Sequence, residues 1–283
     1  MASENFEVII DTTNKCLMDC KYCGTNSSVN SKDYLSFDAI INVMSIVKSK
    51  FVNHVIYLGG GSFYCHPDFS KVLQFNVKAK SNIIIDLPLH EETFNFIKEY
   101  PPRLFNYTFS LSLWGIGDLH NKLSGRNTFG NISKLITISR ELQQKVNISF
   151  VVSKELIAQK EELIDFLRNN INIDNVYFHR LMPCGRCRKE DLPKFMYIEN
   201  FMKCLLSAEL PCNIRFHHTI CGNKCVAFKN RLFINYDGNI YGCGWVNSDT
   251  YSIGNVYIDK FEAICEFAKD KNLTTTKKCV MLS

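Results

Sequence analysis

The 283 residues include no apolar run long enough to cross a bilayer. The longest candidates, such as Asn82 to Leu89, are short and broken by Asp86, whereas a spanning helix needs about 18 or more apolar residues. No basic segment leads into an apolar stretch after Met1, because Glu4 and Glu7 interrupt the first ten residues. No secretory signal is therefore read, and a cytoplasmic location is expected. The tail sets Cys279 five residues from the end, where prenylation needs a cysteine at the fourth, so no lipid anchor is implied. Long runs of Lys and Arg are missing too, and 33 Lys and Arg against 28 Asp and Glu leave a formal charge of only +5. That charge is too small and too scattered for a nucleic-acid-binding face. Glycine (14) and proline (7) are too few for a collagen-like or low-complexity chain, and a 46% hydrophobic share is globular rather than disordered.

Cysteine, by contrast, is abundant, with thirteen residues. An odd number in a chain without an export signal argues against a disulfide framework. The cytosol keeps thiols reduced, and a chain of this length buries a sizeable core without covalent staples. Metal binding or catalysis accounts for them better.

Short β-rich runs alternate with helical ones from the start. Phe6 to Asp11, Val55 to Gly59, Asn82 to Asp86, Tyr107 to Trp114, Val146 to Val152 and Val176 to Met182 read as strands. Between the first two, Phe37, Ile40, Ile41, Met44 and Val47 recur at helical spacing behind Ser36 as N-cap. Ile132, Leu135, Ile136 and Leu142 make a second amphipathic helix, and Leu163, Ile164 and Leu167 a third, with weaker patterns over Asp68 to Lys78 and Glu91 to Tyr100. Such alternation predicts parallel strands joined by helical crossovers, with function at the carboxyl ends of the strands. In the fourth strand Thr108, Ser110 and Ser112 alternate with Phe109, Leu111 and Leu113, so one face is polar and lines a wet cleft. After Met182 the pattern changes. A helix from about Leu192 to Leu206 leads to Ile214 to His218, then to a hairpin of Arg231 to Asn235 against Asn239 to Gly242, turned at Asp237-Gly238. The expected division is 1–182 and 183–283.

Cys16-Leu17-Met18-Asp19-Cys20-Lys21-Tyr22-Cys23 places three thiols in the loop after the first strand. Three close thiolates suit a cluster or metal with one coordination position left open, while a zinc knuckle completed by a distant Cys or His is the structural alternative. The C-x3-C-x2-C spacing, with aromatic Tyr22 before the last cysteine, resembles the signature of the radical S-adenosylmethionine superfamily. The resemblance implies that Cys16, Cys20 and Cys23 hold a [4Fe–4S] cluster whose remaining iron is chelated by S-adenosylmethionine. One electron then cleaves the sulfonium to methionine and a 5′-deoxyadenosyl radical, the cofactor carrying the chemistry and the protein orienting it.

Leu58-Gly59-Gly60-Gly61-Ser62, followed by His66-Pro67-Asp68, is similar to the family's glycine-rich segment, departing from it at Gly61 and Ser62 where Glu and Pro are usual. Ser110 and Ser112 match the place of a polar cofactor contact, and Arg126, within Leu123-Ser124-Gly125-Arg126-Asn127-Thr128-Phe129, matches a partner for the methionyl carboxylate. Tyr22, Gly59, Gly60, Gly61, Ser110, Ser112 and Arg126 are thus the cofactor-binding set that the resemblance implies.

A second set, Cys221-x3-Cys225 and then Cys243 beside the Gly238 turn, resembles the C-terminal domain of radical enzymes with auxiliary clusters, called SPASM when full and twitch when short. The resemblance implies one auxiliary [4Fe–4S] cluster on Cys221, Cys225, Cys243 and a fourth ligand, Cys279 first, with Cys265, Cys184 and Cys187 as alternatives. A structural zinc at the same three cysteines is the competing account. Cys184-Gly185-Arg186-Cys187 reads either as ligands of that site or as a polar turn whose Gly185 and Arg186 approach the cofactor. Trp114 and Trp245 read as core or as frames of the cleft.

The expected fold is therefore α/β, a partial (β/α)6 TIM-like barrel with a small C-terminal hairpin-plus-helix cluster-binding module. The expected activity is hydrogen abstraction from carbon of a peptide side chain or a small polar metabolite, with an electron donor such as flavodoxin or ferredoxin and no membrane partner. A zinc-binding protein or a plain iron–sulfur electron carrier is the alternative. The first strand starts by about residue 6, so no separate leader-recognising domain is expected ahead of it.

Overall fold

The computed structural model describes residues 6–217, 227–228, 230–246 and 251–270, with side chains of the last helix described to residue 266. In chain order the elements are β1 (Phe6–Thr13), α1 (Phe37–Lys50), β2 (His54–Gly60), α2 (Phe69–Ala79), β3 (Ile83–Pro88), α3 (Glu91–Glu99), α4 (Pro102–Phe105) and β4 (Tyr107–Leu113). Then follow α5 (Asp118–Ser124), α6 (Asn131–Glu141), β5 (Asn147–Val152), α7 (Lys154–Ala158), α8 (Lys160–Asn169), β6 (Asn175–Arg180), α9 (Phe195–Leu206) and β7 (Asn213–Phe216). The C-terminal part adds β8 (Arg231–Ile234), β9 (Asn239–Tyr241), β10 (Gly254–Asn255) and α10 (Phe261–Asp270).

All ten strands join one sheet in the order β10-β9-β8-β1-β2-β3-β4-β5-β6-β7. From β8 to β7 every neighbouring pair is parallel. The expected alternation and partial barrel are both present, and β7 and β8 extend the six expected strands at either side. The predicted hairpin is the antiparallel pair β8 and β9, turned at Gly238, whose φ of +89° suits a residue without Cβ.

Local chemistry explains the helices. The Ser36 side chain accepts from the Ala39 backbone N–H at the start of α1, Asp38 sits in its first turn, and Lys48 and Lys50 sit in its last, each placed favourably for the helix dipole. Its Ile40, Val43, Met44 and Val47 are fully buried. α2 ends at Lys80, which takes a left-handed conformation with φ +53°.

In each strand one set of alternate residues meets the helices and the other faces inward. Val8 and Ile10 of β1, Ile56 and Leu58 of β2, Ile83, Ile85 and Leu87 of β3, and Phe109, Leu111 and Leu113 of β4 belong to a single hydrophobic core. The opposite positions, among them Glu7, Asp11, Tyr57, Gly59, Asp86, Ser110, Ser112, Ser149 and Tyr177, share registers across the sheet. The lumen is therefore polar. At its amino-terminal side Arg231 of β8 pairs with Glu7 of β1, Nε to Oε2 at 2.7 Å with a second bond from Nη2, and its Nη1 stands 3.3 Å from His217 Nε2 beyond β7. No helix among the described residues is long and apolar enough to cross a membrane.

Candidate functional site

The loop from β1 to α1 carries Cys16, Cys20 and Cys23, all partly buried. It is held by backbone bonds to two other segments and, through Arg186, to a third. Gly61 N donates to Thr13 O (2.6 Å) and Ser62 N to Lys15 O (2.9 Å); Asp19 N and Lys21 N donate to Ser124 O and Leu123 O. Ser62 Oγ lies 3.2 Å from Cys16 Sγ, and Ser27 N donates to Cys23 Sγ at 3.3 Å. Burial pushes the Cys16 thiol up and the Cys20 thiol to about 12, and neighbouring cysteines add to both shifts.

Three thiolates that repel one another in a half-buried loop need a cation among them, which the irons of a cluster supply. Three cysteine thiols on one partly buried loop are the donor set an iron–sulfur cubane takes, with one iron left open.

Glycines let the other loops close on this one. A Cβ at Gly61 would lie 2.0 Å from Lys15 O, at Gly125 (φ +70°) 2.4 Å from Asp19 O, and at Gly185 (φ +58°) 2.1 Å from Cys23 O. At Gly60 it would meet Thr13 O at 2.6 Å, while at Gly59 it would meet nothing within 4 Å. Of the three glycines singled out by sequence, Gly60 and Gly61 pack against the cysteine loop and Gly59 borders open lumen.

Beyond β6, the Arg186 N–H donates to Cys23 O at 2.9 Å. Its guanidinium donates to Asn26 Oδ1 (3.1 Å), Asp19 Oδ1 (2.5 Å), Cys20 O (3.0 Å) and Ser27 O (2.6 Å). The Gly185-Arg186 turn thus clamps the loop itself. Cys184, buried beside it, lies in the electrostatic reach of Cys187, Cys23 and Cys243, and its thiol is pushed up to about 12, chiefly by burial. Cys265 is fully buried in the hydrophobic core. Cys221, Cys225 and Cys279 lie outside the described residues.

Ser110 Oγ and Ser149 Oγ are 2.7 Å apart, and Ser112 stands in register with Ser149. Arg126 is exposed on the loop after α5. The Tyr22 hydroxyl donates to Glu155 Oε1 at 2.8 Å and its ring packs near Trp114, with centroids 6.0 Å apart, so the side chain points toward α7. A Cβ at Gly24 would meet the Trp245 ring at 3.2 Å, which puts both tryptophans against the cysteine loop.

Sequence reasoning missed the lumenal carboxylates. Burial, then Asp86, pushes the Asp11 carboxyl up to about 7, and encirclement by protein raises Asp86 to about 6 although its side chain opens to the wet lumen. The signal available was an Asp ending one apolar strand and another Asp interrupting a second.

The radical SAM superfamily model matches residues 10–167, more than half of the chain, and an iron–sulfur cluster-binding domain, SPASM, matches residues 225–279. Comparison with curated proteins gives no match. Among solved structures, SuiB of Streptococcus suis bound to precursor peptide SuiA aligns with a TM-score of 0.76 and 16% identity, over 97% of this chain and 67% of that chain. SuiB bound to S-adenosylmethionine aligns with a TM-score of 0.72 and 17% identity, over 93% and 65%. The enzyme anSMEcpe with bound AdoMet aligns with a TM-score of 0.69 and 15% identity, over 93% and 82%. The chain therefore spans about two thirds of the length of the SuiB chains it matches. These alignments show a shared fold, and the family match covers the cysteine loop and the strands around the polar lumen. The chain thus belongs to the radical S-adenosylmethionine superfamily, an enzyme whose cofactors are a [4Fe–4S] cluster and S-adenosylmethionine, with a SPASM iron–sulfur domain at its C-terminal end.

Proposed function

We propose that the chain abstracts a hydrogen atom from carbon of a peptide or protein side chain, assisted by an auxiliary [4Fe–4S] cluster. The observation that carries this reading is the open three-cysteine loop set at the carboxyl-terminal mouth of a polar lumen. A cluster held there would supply the electron, drawn from a donor such as flavodoxin or ferredoxin, for reductive cleavage of S-adenosylmethionine and so for hydrogen abstraction. The chain's own residues hold and orient. Cys16, Cys20 and Cys23 bind the cluster, and Arg186 fixes their loop. The open lumen at Gly59, the Ser110 and Ser112 side of β4, and Arg126 at the rim receive the cofactor, Tyr22 contributing through its backbone.

The peptide substrate is supported by the fold shared with SuiB and anSMEcpe, both of which have been crystallised with peptides. Cys221, Cys225, Cys243 and Cys279 hold the auxiliary cluster. Cys184 stands as the alternative fourth ligand because it and Cys243 interact electrostatically, whereas Cys265 packs in the core.

Anaerobic reconstitution, dithionite reduction and assay for 5′-deoxyadenosine test the reading. The reconstituted protein should carry about eight irons and the Cys16/Cys20/Cys23→Ala variant about four. S-adenosylhomocysteine without deoxyadenosine would overturn hydrogen abstraction. Incubation with peptides, read by mass spectrometry, tests the substrate class.

A further inference from the structure

Among the described residues, no cation pairs with two lumenal carboxylates. Asp11 is 5% exposed, follows the core residues Val8 and Ile10 in alternation, and stands in register with Gly59 of β2. Among the described residues it makes no hydrogen bond or ion pair, and its electrostatic neighbours are Asp86 and Cys184. The lumenal Arg231 is committed to Glu7 and His217. It pairs at the level of Glu7, four residues below Asp11, which is about 13 Å along a strand, too far to neutralise the aspartate.

Asp86 of β3 faces the same space. The β2–β3 register aligns Leu58 with Ile85, so one residue further Gly59 stands level with Asp86. Asp11, Gly59 and Asp86 therefore sit side by side on three adjacent strands, and the middle one has no side chain. A Cβ there would meet nothing within 4 Å, so the space between the carboxylates is open. Strands about 4.8 Å apart set the two aspartate Cα atoms about 10 Å apart. Both side chains project into that space, where a nitrogen between them would donate to an oxygen on either side. Ser110, in register with Asp86, and Ser149 add hydroxyls to the same wall.

A carboxylate this deeply enclosed and left without a partner is costly unless a cation joins it. We propose that the lumen between Asp11 and Asp86 binds a primary ammonium group. Its source is an amine of the substrate, because the amino group of an iron-chelating S-adenosylmethionine gives its lone pair to the iron and carries no ammonium charge. The proposal rests on the hydrogen-abstraction reading for its biological setting and on the lumen's geometry for the site.

The test uses reconstituted holoprotein as wild type and as Asp11→Asn/Asp86→Asn, a pair of near-isosteric changes that remove charge alone. One arm measures S-adenosylmethionine affinity by equilibrium dialysis. The other measures n-butylammonium binding by calorimetry with S-adenosylmethionine saturating, with n-butanol as the neutral control. A loss of about tenfold or more in butylammonium binding alone assigns the ammonium to the substrate. The same loss in S-adenosylmethionine affinity would place the carboxylates on the cofactor and overturn the proposal. Affinities within about twofold of wild type in both arms, in protein that keeps its iron, would overturn the proposal. Should the double variant load less iron, Asp86→Asn alone, on a strand without cysteine, makes the same test. A wild-type protein that fails to cleave S-adenosylmethionine would overturn the proposed function, and the binding arms would still decide the ammonium site.

Discussion

Arg186 is the side chain whose removal should most directly loosen the first cluster. Its guanidinium reaches across from the turn after β6 to Asp19 and Cys20 before Cys23 and to Asn26 and Ser27 after it. The Asp19 side chain is 70% exposed, so that ion pair is screened and counts for little. The bonds to Cys20 O, Ser27 O and Asn26 Oδ1 involve a charged donor and are worth about 1.5 kcal/mol each, or about 3 kcal/mol together after allowing water to replace part of the loss. By the relation of about 1.4 kcal/mol per tenfold, Arg186→Ala should open the loop about 100-fold more often. Arg186→Lys keeps a charge without the planar fork and should open it about tenfold more often. Iron release to a ferrous chelator under anaerobic conditions reads the opening, and amide exchange over residues 14–28 reads it independently of metal. Release and exchange rates within about threefold of wild type for Arg186→Ala would refute the reasoning, because the clamp would then add nothing to loop closure.

Gly185→Ala should lower iron loading and thermal stability, since a Cβ would lie 2.1 Å from Cys23 O at a φ of +58°; normal iron content in the purified variant would contradict this. The Asp11 carboxyl, at about 7 when folded against about 3.9 unfolded, binds more protons in the folded state. Stability of the apoprotein should therefore fall as pH rises from about 4 to about 7, by at most about 4 kcal/mol, and Asp11→Asn should flatten that slope in urea titrations. The Cys225→Ala/Cys243→Ala variant should lose substrate turnover yet keep reductive cleavage of S-adenosylmethionine, provided circular dichroism and first-cluster iron show it folded. Normal product formation by such a variant would count against an auxiliary role.

The six N-terminal strands were legible because their alternate residues differ so sharply, as Phe109, Leu111 and Leu113 do from Thr108, Ser110 and Ser112. Spacing alone carried the cysteine loop. What the sequence withholds is which strands become neighbours. Asp11 and Asp86 lie 75 positions apart, and only the registers of β1 with β2 and β2 with β3 set them on either side of Gly59. The same reason hides the pairing of β8 with β1, which joins residues 224 positions apart at Glu7 and Arg231. Glycines were read as making room for a ligand. At Gly61 and Gly185 the room is taken by backbone of the cysteine loop, a distinction that needs the partner's position as well as the missing Cβ.

That pairing of β8 with β1 bears on how the two cysteine sets communicate. β1 delivers the cysteine loop, and β8 opens the hairpin that leads to Cys243. Four consecutive register pairs, Glu7 with Arg231 through Ile10 with Ile234, fix these strands together. The link continues above the sheet. Trp245 packs against Gly24, Cys184 stands in electrostatic reach of both Cys23 and Cys243, and the Tyr257 hydroxyl accepts from Ser36 N at 2.8 Å. A cluster on the second set would therefore be anchored to the strand and loop that hold the first. A slip of one residue between β1 and β8 would reverse the faces of Arg231 and Phe233 and bury the Arg231 charge in the core. The Glu7 and Arg231 pair therefore acts as a register lock, keeping the hairpin that leads to Cys243 in fixed alignment with the strand that delivers the cysteine loop.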